Sequence, residues 1–334
     1  MSVPTPRRQP HIAAIINQNP EWSQYEQLTA DEVWHLLLEA LASESYTFRA
    51  FKYFDSLACL DDLDPREWLV WNFGEEWAGR PWSDAAVVEE IERRGFAYTG
   101  ATPAQIHHTQ SRIRVKETLL AAGRPTLPYD VFAHSSEAGR WATYPALVKA
   151  VHQHGSCGID REAVVLGPEE LALRIEHIRA HFHDDAIVEP FVDTREFQVA
   201  VWGNHSPEVL PPSEIVFSAF ADFRDRVHTL QWKIERHSRG YQEIMMPCPA
   251  PLDRPDWRAR VEEVGLRAYQ AFGLRDYARF DLRMLGDEPQ VLDVNCNPEL
   301  DPQSVVLAGA RAIGLTYGGM IRRIIEFASA RMPA

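Results

Sequence analysis

Lysine is nearly absent from this chain. Of 34 basic residues in 334, only Lys52, Lys116, Lys149 and Lys233 are lysine. Arginine covers the basic surface, so a retained lysine is a candidate point charge on phosphate. Cysteine is also scarce. Cys59, Cys157, Cys248 and Cys296 are scattered without CxxC spacing, which argues against a disulfide framework or zinc ribbon and points to reduced thiols in the cytoplasm. No apolar run approaches the roughly 18 residues a membrane helix needs. Arg7 and Arg8 precede an apolar stretch that Asn17-Gln18-Asn19-Pro20 soon breaks, so a signal peptide is not expected. Basic runs are missing too, and the net charge is −14, which makes nucleic acid and anionic membranes poor partners. Neither GxxxxGK[ST] nor GxGxxG occurs, so the P-loop and dinucleotide fingerprints are excluded.

What is present is an ordinary globular composition, 45% hydrophobic and 25% charged, long enough for two or three domains. Residues 11–18 read as a buried strand. The next helix is expected at TADEVWHLLLEALASE, with Thr29 as N-cap and Glu32 closing a capping box. EWLVWNF reads as a second buried strand, and SDAAVVEEIERRG as an amphipathic helix from Ser83 to Gly95. Strands alternating with helices predict a parallel α/β unit, with a boundary near Pro103. Beyond it, the pattern predicts one helix over 107–123, a strand at TYPALVKAV, a small-residue loop at HQHGSCGI, and a helix at PEELALRIEHIRAHF. Strands follow at DAIVEPFV and REFQVAVWGN, then a long covering loop over 218–251 and a helix at RPDWRARVEEVGLRAYQAFGL. A hairpin and two terminal helices complete the chain.

The hairpin, ARFDLRMLGDEPQVLDVNCNPELDP, carries the clearest chemical pattern. Asp293 and Asn295 are two apart on a strand and face one side. The turn can bring Asp281 beside them. Three hard oxygen ligands would suit Mg²⁺, although the same residues also describe a solvated polar face. Upstream, a strand delivers Lys149 to the loop His154-Gly155-Ser156-Cys157-Gly158, whose short side chains let backbone N–H groups approach phosphate. Another strand delivers Glu189, then Val192 and Glu196.

Taken in order, YPALVKAVHQHGSCGI, AIVEPFVDTREFQVAVWGN, VLPPSEIVF, ARFDLRML and VLDVNCNPEL resemble the successive motifs of the ATP-grasp superfamily, in its D-alanine–D-alanine ligase-like branch. LVWNFGEE and RRGFAYTGATP resemble the end of that branch's first domain. The resemblance implies an N-terminal parallel α/β domain over 1–105, followed by a two-lobed α+β ATP-grasp domain with lobes at 106–192 and 193–334. It also implies ATP, two Mg²⁺ ions with Mn²⁺ as the alternative, small carboxylate and amine substrates, and a homodimer.

Position by position, the resemblance implies that Arg112, Lys149 and Lys233 contact phosphates. Ser156, Cys157 and Gly158 would lie in the loop over them. Glu189, Phe191 and Val192 would surround adenine, and Glu196 would take the ribose hydroxyls. Asp281, Asp293 and Asn295 would hold the metal, and Arg279 would stabilise the tetrahedral oxyanion. Ser304 would hold the second substrate's carboxylate. Ser156, Lys233 and Arg279 form the implied catalytic set.

The first domain departs from this pattern. NQNPEW replaces a glycine-rich loop, leaving Glu21 as a stand-in, and Asn72-Phe73-Gly74-Glu75-Glu76-Trp77 replaces a histidine-glycine stretch. Asp293 is shorter than the usual glutamate, and Glu299 stands where a glycine is usual. These changes point to a carboxylate–amine ligase with a rebuilt donor pocket, in specialised biosynthesis. A D-alanine–D-alanine ligase and an ATP-grasp small-molecule kinase are the alternatives. Glu299 and Asp301 favour a cationic amine. His177, His181 and His183 have metal-like spacing on a polar helix and are read as solvated. Trp71, Trp77 and Trp82 are read as packing.

Overall fold

The computed structural model describes residues 9–252 and 254–333, without the side chains of Lys233 and Ile234. The first sheet is built from β1 (His11–Asn17), β2 (Phe48–Tyr53), β3 (Trp68–Phe73) and β4 (Ala97–Tyr98), ordered β2-β1-β3-β4 and parallel throughout. The inner strands β1 and β3 are buried on both faces because both faces are covered, while the edge strand β2 exposes Arg49, Ala50 and Lys52. Ile12, Ala14 and Trp71 meet Trp34, Leu37 and Leu41 of helix α1 (Gln24–Ser43). Ala13, Ile15 and Val70 meet Val87, Val88 and Ile91 of α2 (Asp84–Arg93).

Helix α1 starts one and a half turns before the expected Thr29. Ser23 is the cap: its Oγ accepts the Glu26 N–H, and the Glu26 carboxylate accepts the Ser23 N–H at 2.7 Å. Thr29 instead donates its hydroxyl to the Tyr25 carbonyl. The single helix expected over 107–123 is two, α3 (Pro103–Thr109) and α4 (Arg112–Ala121). Ser111 between them caps α4 in an extended conformation, a competition that serine wins over helix continuation.

The second sheet has β5 (Asp130–Phe132), β6 (Ala146–Ala150), β7 (Val164–Val165) and β8 (Ala186–Pro190), ordered β5-β8-β6-β7 and antiparallel. Helix α5 (Pro168–Phe182) packs Leu171, Ile175 and Ile178 beneath it. The third sheet joins β9 (Glu196–Trp202), β10 (Glu208–Val209) and β11 (Ser213–Ile215) to the hairpin described below. Residues 218–251, expected as a loop, carry two short helices, α6 (Leu230–Ile234) and α7 (Arg239–Glu243). They are too short to show a period, and are held by Trp232 stacked on Phe220 at 4.6 Å. Helix α8 (Pro255–Ala271) precedes the hairpin strands β12 (Tyr277–Leu285) and β13 (Glu288–Asn295). Helices α9 (Val305–Ala312) and α10 (Tyr317–Ser329) follow, and α10 closes over the first sheet.

Strand alternation divides the third sheet. Phe197, Val199, Phe280 and Leu282 join the core with Val261 and Ala268 of α8. Glu196, Gln198, Arg279, Asp281 and Arg283 have the opposite parity. The register sets Gln198 opposite Asp281, Asp281 opposite Asp293, and Arg279 opposite Asn295. Leu282 then pairs with Val291, so Leu292 is the extra residue of a β-bulge.

Candidate active site

Between the second and third sheets lies a cleft that is open to solvent. Leu127, Leu147, Ile159, Phe191, Val227 and Leu292 give it apolar walls. The bulge supplies Leu292, which simple alternation would have turned away. Arg112, Lys149, Ser156, Glu189, Val192, Glu196, Arg279, Asp281 and Asp293 also line it. Most of the expected nucleotide and metal residues therefore converge, from five strands, one helix and two loops.

At its base, Glu189 is buried between two lysines. Lys149 Nζ lies 2.5 Å from Oε1, and Lys116 Nζ lies 2.8 Å from Oε2. Burial alone would raise the Glu189 pKa, but the two ammonium groups override it and hold the carboxyl at about 2. Lys116 also donates to Thr126 Oγ1 and to the Leu127 carbonyl. The sequence reading placed Lys116 one turn beyond Arg112 without giving it this partner. Arg112 is buried; its Nη1 donates to the Ala150 carbonyl while its Nε has no partner among the described residues.

Asp281 accepts from Arg279 at 2.9 and 3.2 Å, and from Gln198 Nε2 at 3.1 Å. The Gln198 Oε1, buried beside it, has no hydrogen-bond partner among the described residues. Burial works against ionisation of Asp293, yet Arg112, His154, Lys149 and Arg279 together hold its pKa below the usual carboxylate value. Asn295 is on the expected face, but its Oδ1 accepts the Asn297 N–H at 2.9 Å, and it does not line the cleft.

The small-residue loop takes left-handed backbone at Gly155, Ser156 and Gly158. A Cβ on Gly158 would stand 2.7 Å from the Phe182 ring, so only glycine fits there. Cys157 closes a turn by donating its N–H to the His154 carbonyl. The first domain reaches this loop through Trp82. Its ring meets His154 edge-on at 5.5 Å, and its indole N–H donates to Gln153 Oε1 at 3.2 Å. Trp82, expected to pack, is 42% exposed and instead bridges this loop to the segment before α2.

Three expectations need adjusting. The Phe191 N–H donates to the Pro145 carbonyl and the Val192 carbonyl accepts from Arg283, so these backbone groups are already paired. Ser304 is the N-cap of α9, its Oγ accepting from Leu307 at 3.2 Å. Lys233 lies in α6, and its side chain is outside the described residues. Among the described residues no group of three or more His, Cys, Asp or Glu could hold a metal, and His177 stacks on His181 at 4.2 Å.

On the first-domain side, Arg279 Nη1 reaches Glu299 at 3.2 Å. Glu75, Glu76, Asp84 and Asp301 stand near. The Glu75 side chain keeps solvent access, yet crowding by protein, then by Glu299, Asp84, Glu76 and Asp301, pushes its pKa up to about 7. Burial, more than any neighbour, pushes that of Asp84 up to about 6.

Residues 121–326 match the family model described as D-ala D-ala ligase C-terminus. The chain belongs to the D-alanine–D-alanine ligase family. It is similar to the D-alanine–D-alanine ligase of Desulforudis audaxviator, 30% identical over 254 residues that cover 74% of this chain and 78% of that one. It is also similar to the enzyme of the same name from Nitratidesulfovibrio vulgaris strain DP4, 32% identical over 74% of this chain and 77% of that one. An uncharacterised protein of Sinorhizobium fredii is 27% identical over 81% of this chain and 77% of its own length. The crystal structure of a Bacillus anthracis D-alanine–D-alanine ligase complexed with ATP superposes with a TM-score of 0.70 at 18% identity, covering 96% and 97% of the two chains. The ATP-grasp fold is common to both, and the family's activity is ATP-dependent carbon–nitrogen ligation.

Proposed function

We propose that this family member joins a small carboxylate to an amine through an acyl phosphate, on amino-acid-like substrates in specialised biosynthesis. The observation that carries the reading is the cation shell at one end of an apolar slot. Arg112, Lys149 and Arg279 line the cleft around Asp293. In an overall acidic chain, the four cations Arg112, Lys149, Arg279 and Arg283 match the four carboxylates of the cleft, a balance that suits a metal-bound polyanion with its flat base between Leu127, Leu147, Phe191 and Leu292. The unpartnered Nε of Arg112 is a donor suited to phosphate oxygen.

The donor set fits a divalent ion. Asp281 and Asp293 line the cleft and would supply hard oxygens with Gln198 Oε1 beside them, while Asn295, whose Oδ1 accepts the Asn297 N–H, would have to turn in to join them. Bound there, Mg²⁺ would offset charge on the phosphates. The chain's own residues do the rest. Lys149 and Arg112 orient the phosphates, and Arg279 faces the reacting carbon with a charge useful when an oxyanion develops. The segment 218–251 keeps water from the acyl phosphate.

The acids around Glu299 support a cationic acceptor, which separates this reading from a D-alanine–D-alanine ligase proper. Because Glu75 and Asp84 ionise near pH 7 and 6, the KM for a cationic acceptor should fall as pH rises from 6 to 8. Glu75→Gln should flatten that profile. An unchanged profile would remove the cationic preference and leave the ligase reading standing. A cytoplasmic homodimer belongs to the same proposal.

The deciding experiment measures phosphate release from ATP and Mg²⁺ against pooled D- and L-amino acids and dipeptides, with Asp281→Asn as control. Release that needs one particular pair and is lost in the variant supports the ligase. A phosphorylated product without phosphate release would make it a kinase instead.

A further inference from the structure

Arg283 had no role in the sequence reading, yet it lines the cleft and is only 4% exposed. It shares a strand face with Arg279 and Asp281. Its Nε and Nη2 both grip Glu196 Oε2, at 2.8 and 2.7 Å. Nη1 donates to the Val192 carbonyl at 2.7 Å, and Nη2 also donates to the Arg226 carbonyl. The guanidinium lies against Phe191 and Phe217, 5.0 and 5.6 Å from the ring centroids. One planar cation therefore ties together β9, the connection between the second and third sheets, and the covering segment. Its aromatic neighbours and bound carbonyls leave it badly placed to bind a ligand itself.

Its effect must pass through Glu196. Both arginine bonds fall on Oε2, and no hydrogen bond from the described residues falls on Oε1. A glutamate gripped at one oxygen has a fixed carboxylate plane, and its second oxygen is held ready to accept. We infer that Arg283 is a positioning residue that holds Glu196 ready for the nucleotide's vicinal diol and so sets discrimination between ribose and 2′-deoxyribose. The inference rests on the reading that Glu196 meets the ribose hydroxyls. A lysine would not do this work, since the three donors of one ammonium cannot make two bonds to Glu196 Oε2 and also hold two carbonyls in one plane.

The test is calorimetric binding of Mg²⁺·ATP and Mg²⁺·2′-deoxyATP to the full chain, which needs no knowledge of the other substrates. The unsubstituted protein should prefer ATP by about tenfold or more, the usual value of a hydrogen bond to a charged group. Arg283→Met, which keeps the bulk and the aromatic contact, should weaken ATP about tenfold and 2′-deoxyATP less than about twofold, so the preference collapses. Glu196→Gln should collapse it as well. Equal weakening of both nucleotides by Arg283→Met, with the preference kept, would overturn the inference while leaving the Glu196 reading intact. A preference that survives Glu196→Gln would overturn the ribose reading itself. Should the methionine variant not fold, Arg283→Lys takes its place. It should lose most of the preference while still folding cooperatively at the assay temperature, and a retained preference would count against the inference.

Discussion

Arg279→Met should lower kcat for phosphate release about 10²- to 10³-fold, the usual cost of losing one preorganised group at a developing oxyanion. The residue is prepared for this work. Its side chain is 13% exposed and bonded to Asp281 through Nε and Nη2 and to Glu299 through Nη1. Burial would lower its pKa, but the Asp281 and Glu299 carboxylates more than compensate, so it stays charged at any working pH. Held from both sides, the guanidinium needs no reorganisation when charge appears. Arg279→Lys keeps the charge but loses the fork, and should recover only part of the rate. Nucleotide affinity, measured by calorimetry, should change far less than kcat, because the group matters most at the transition state. A kcat within about threefold of the unsubstituted enzyme would remove Arg279 from the oxyanion role.

Much of this site could be read from residue spacing. Parity along a strand placed Asp281, Asp293 and Asn295 on one face, and the register agrees. The same parity would have found Arg283, since Arg279, Asp281 and Arg283 are successive odd positions. The signal was present but its meaning was not, because the partner Glu196 is 87 residues away. Leu292 was illegible for another reason. A bulge is one residue of slippage, and nothing in QVLDVN marks where it falls. Lys116 shows a third limit. Helical spacing from Arg112 was plain, but its pairing with Glu189 depends on β8 folding back against α4. The start of α1 shows that local signals compete: Thr29 with Glu32 and Ser23 with Glu26 both spell a capping box, and only the second sits where the chain turns.

A fully buried carboxylate links the loop after β4, the start of β12 and the segment after α10, and Asp276→Ala should destabilise the protein by about 3–5 kcal/mol. Asp276 has no solvent exposure and a left-handed backbone, with φ 61°. Its carboxylate takes a bidentate pair from Arg331 at 2.8 and 2.6 Å and the Gly100 N–H at 2.8 Å. Arg331 then reaches the Tyr98 carbonyl at 2.7 Å, and Arg275 Nε reaches that of Gly100 at 2.7 Å. Alanine would leave the Gly100 N–H and a guanidinium unpaired, and would take the left-handed conformation less readily than aspartate. Asp276→Asn keeps the backbone preference and some hydrogen bonding, so it should cost less. Arg331→Met should cost at least as much as Asp276→Ala, because it strands the fully buried Asp276 carboxylate, whereas the Arg331 side chain is 25% exposed and can be hydrated when its partner is lost. Urea unfolding of the two single variants and the double variant gives the coupling directly. A coupling below about 0.5 kcal/mol would mean that the two act independently and that the domains are held by their apolar contacts instead.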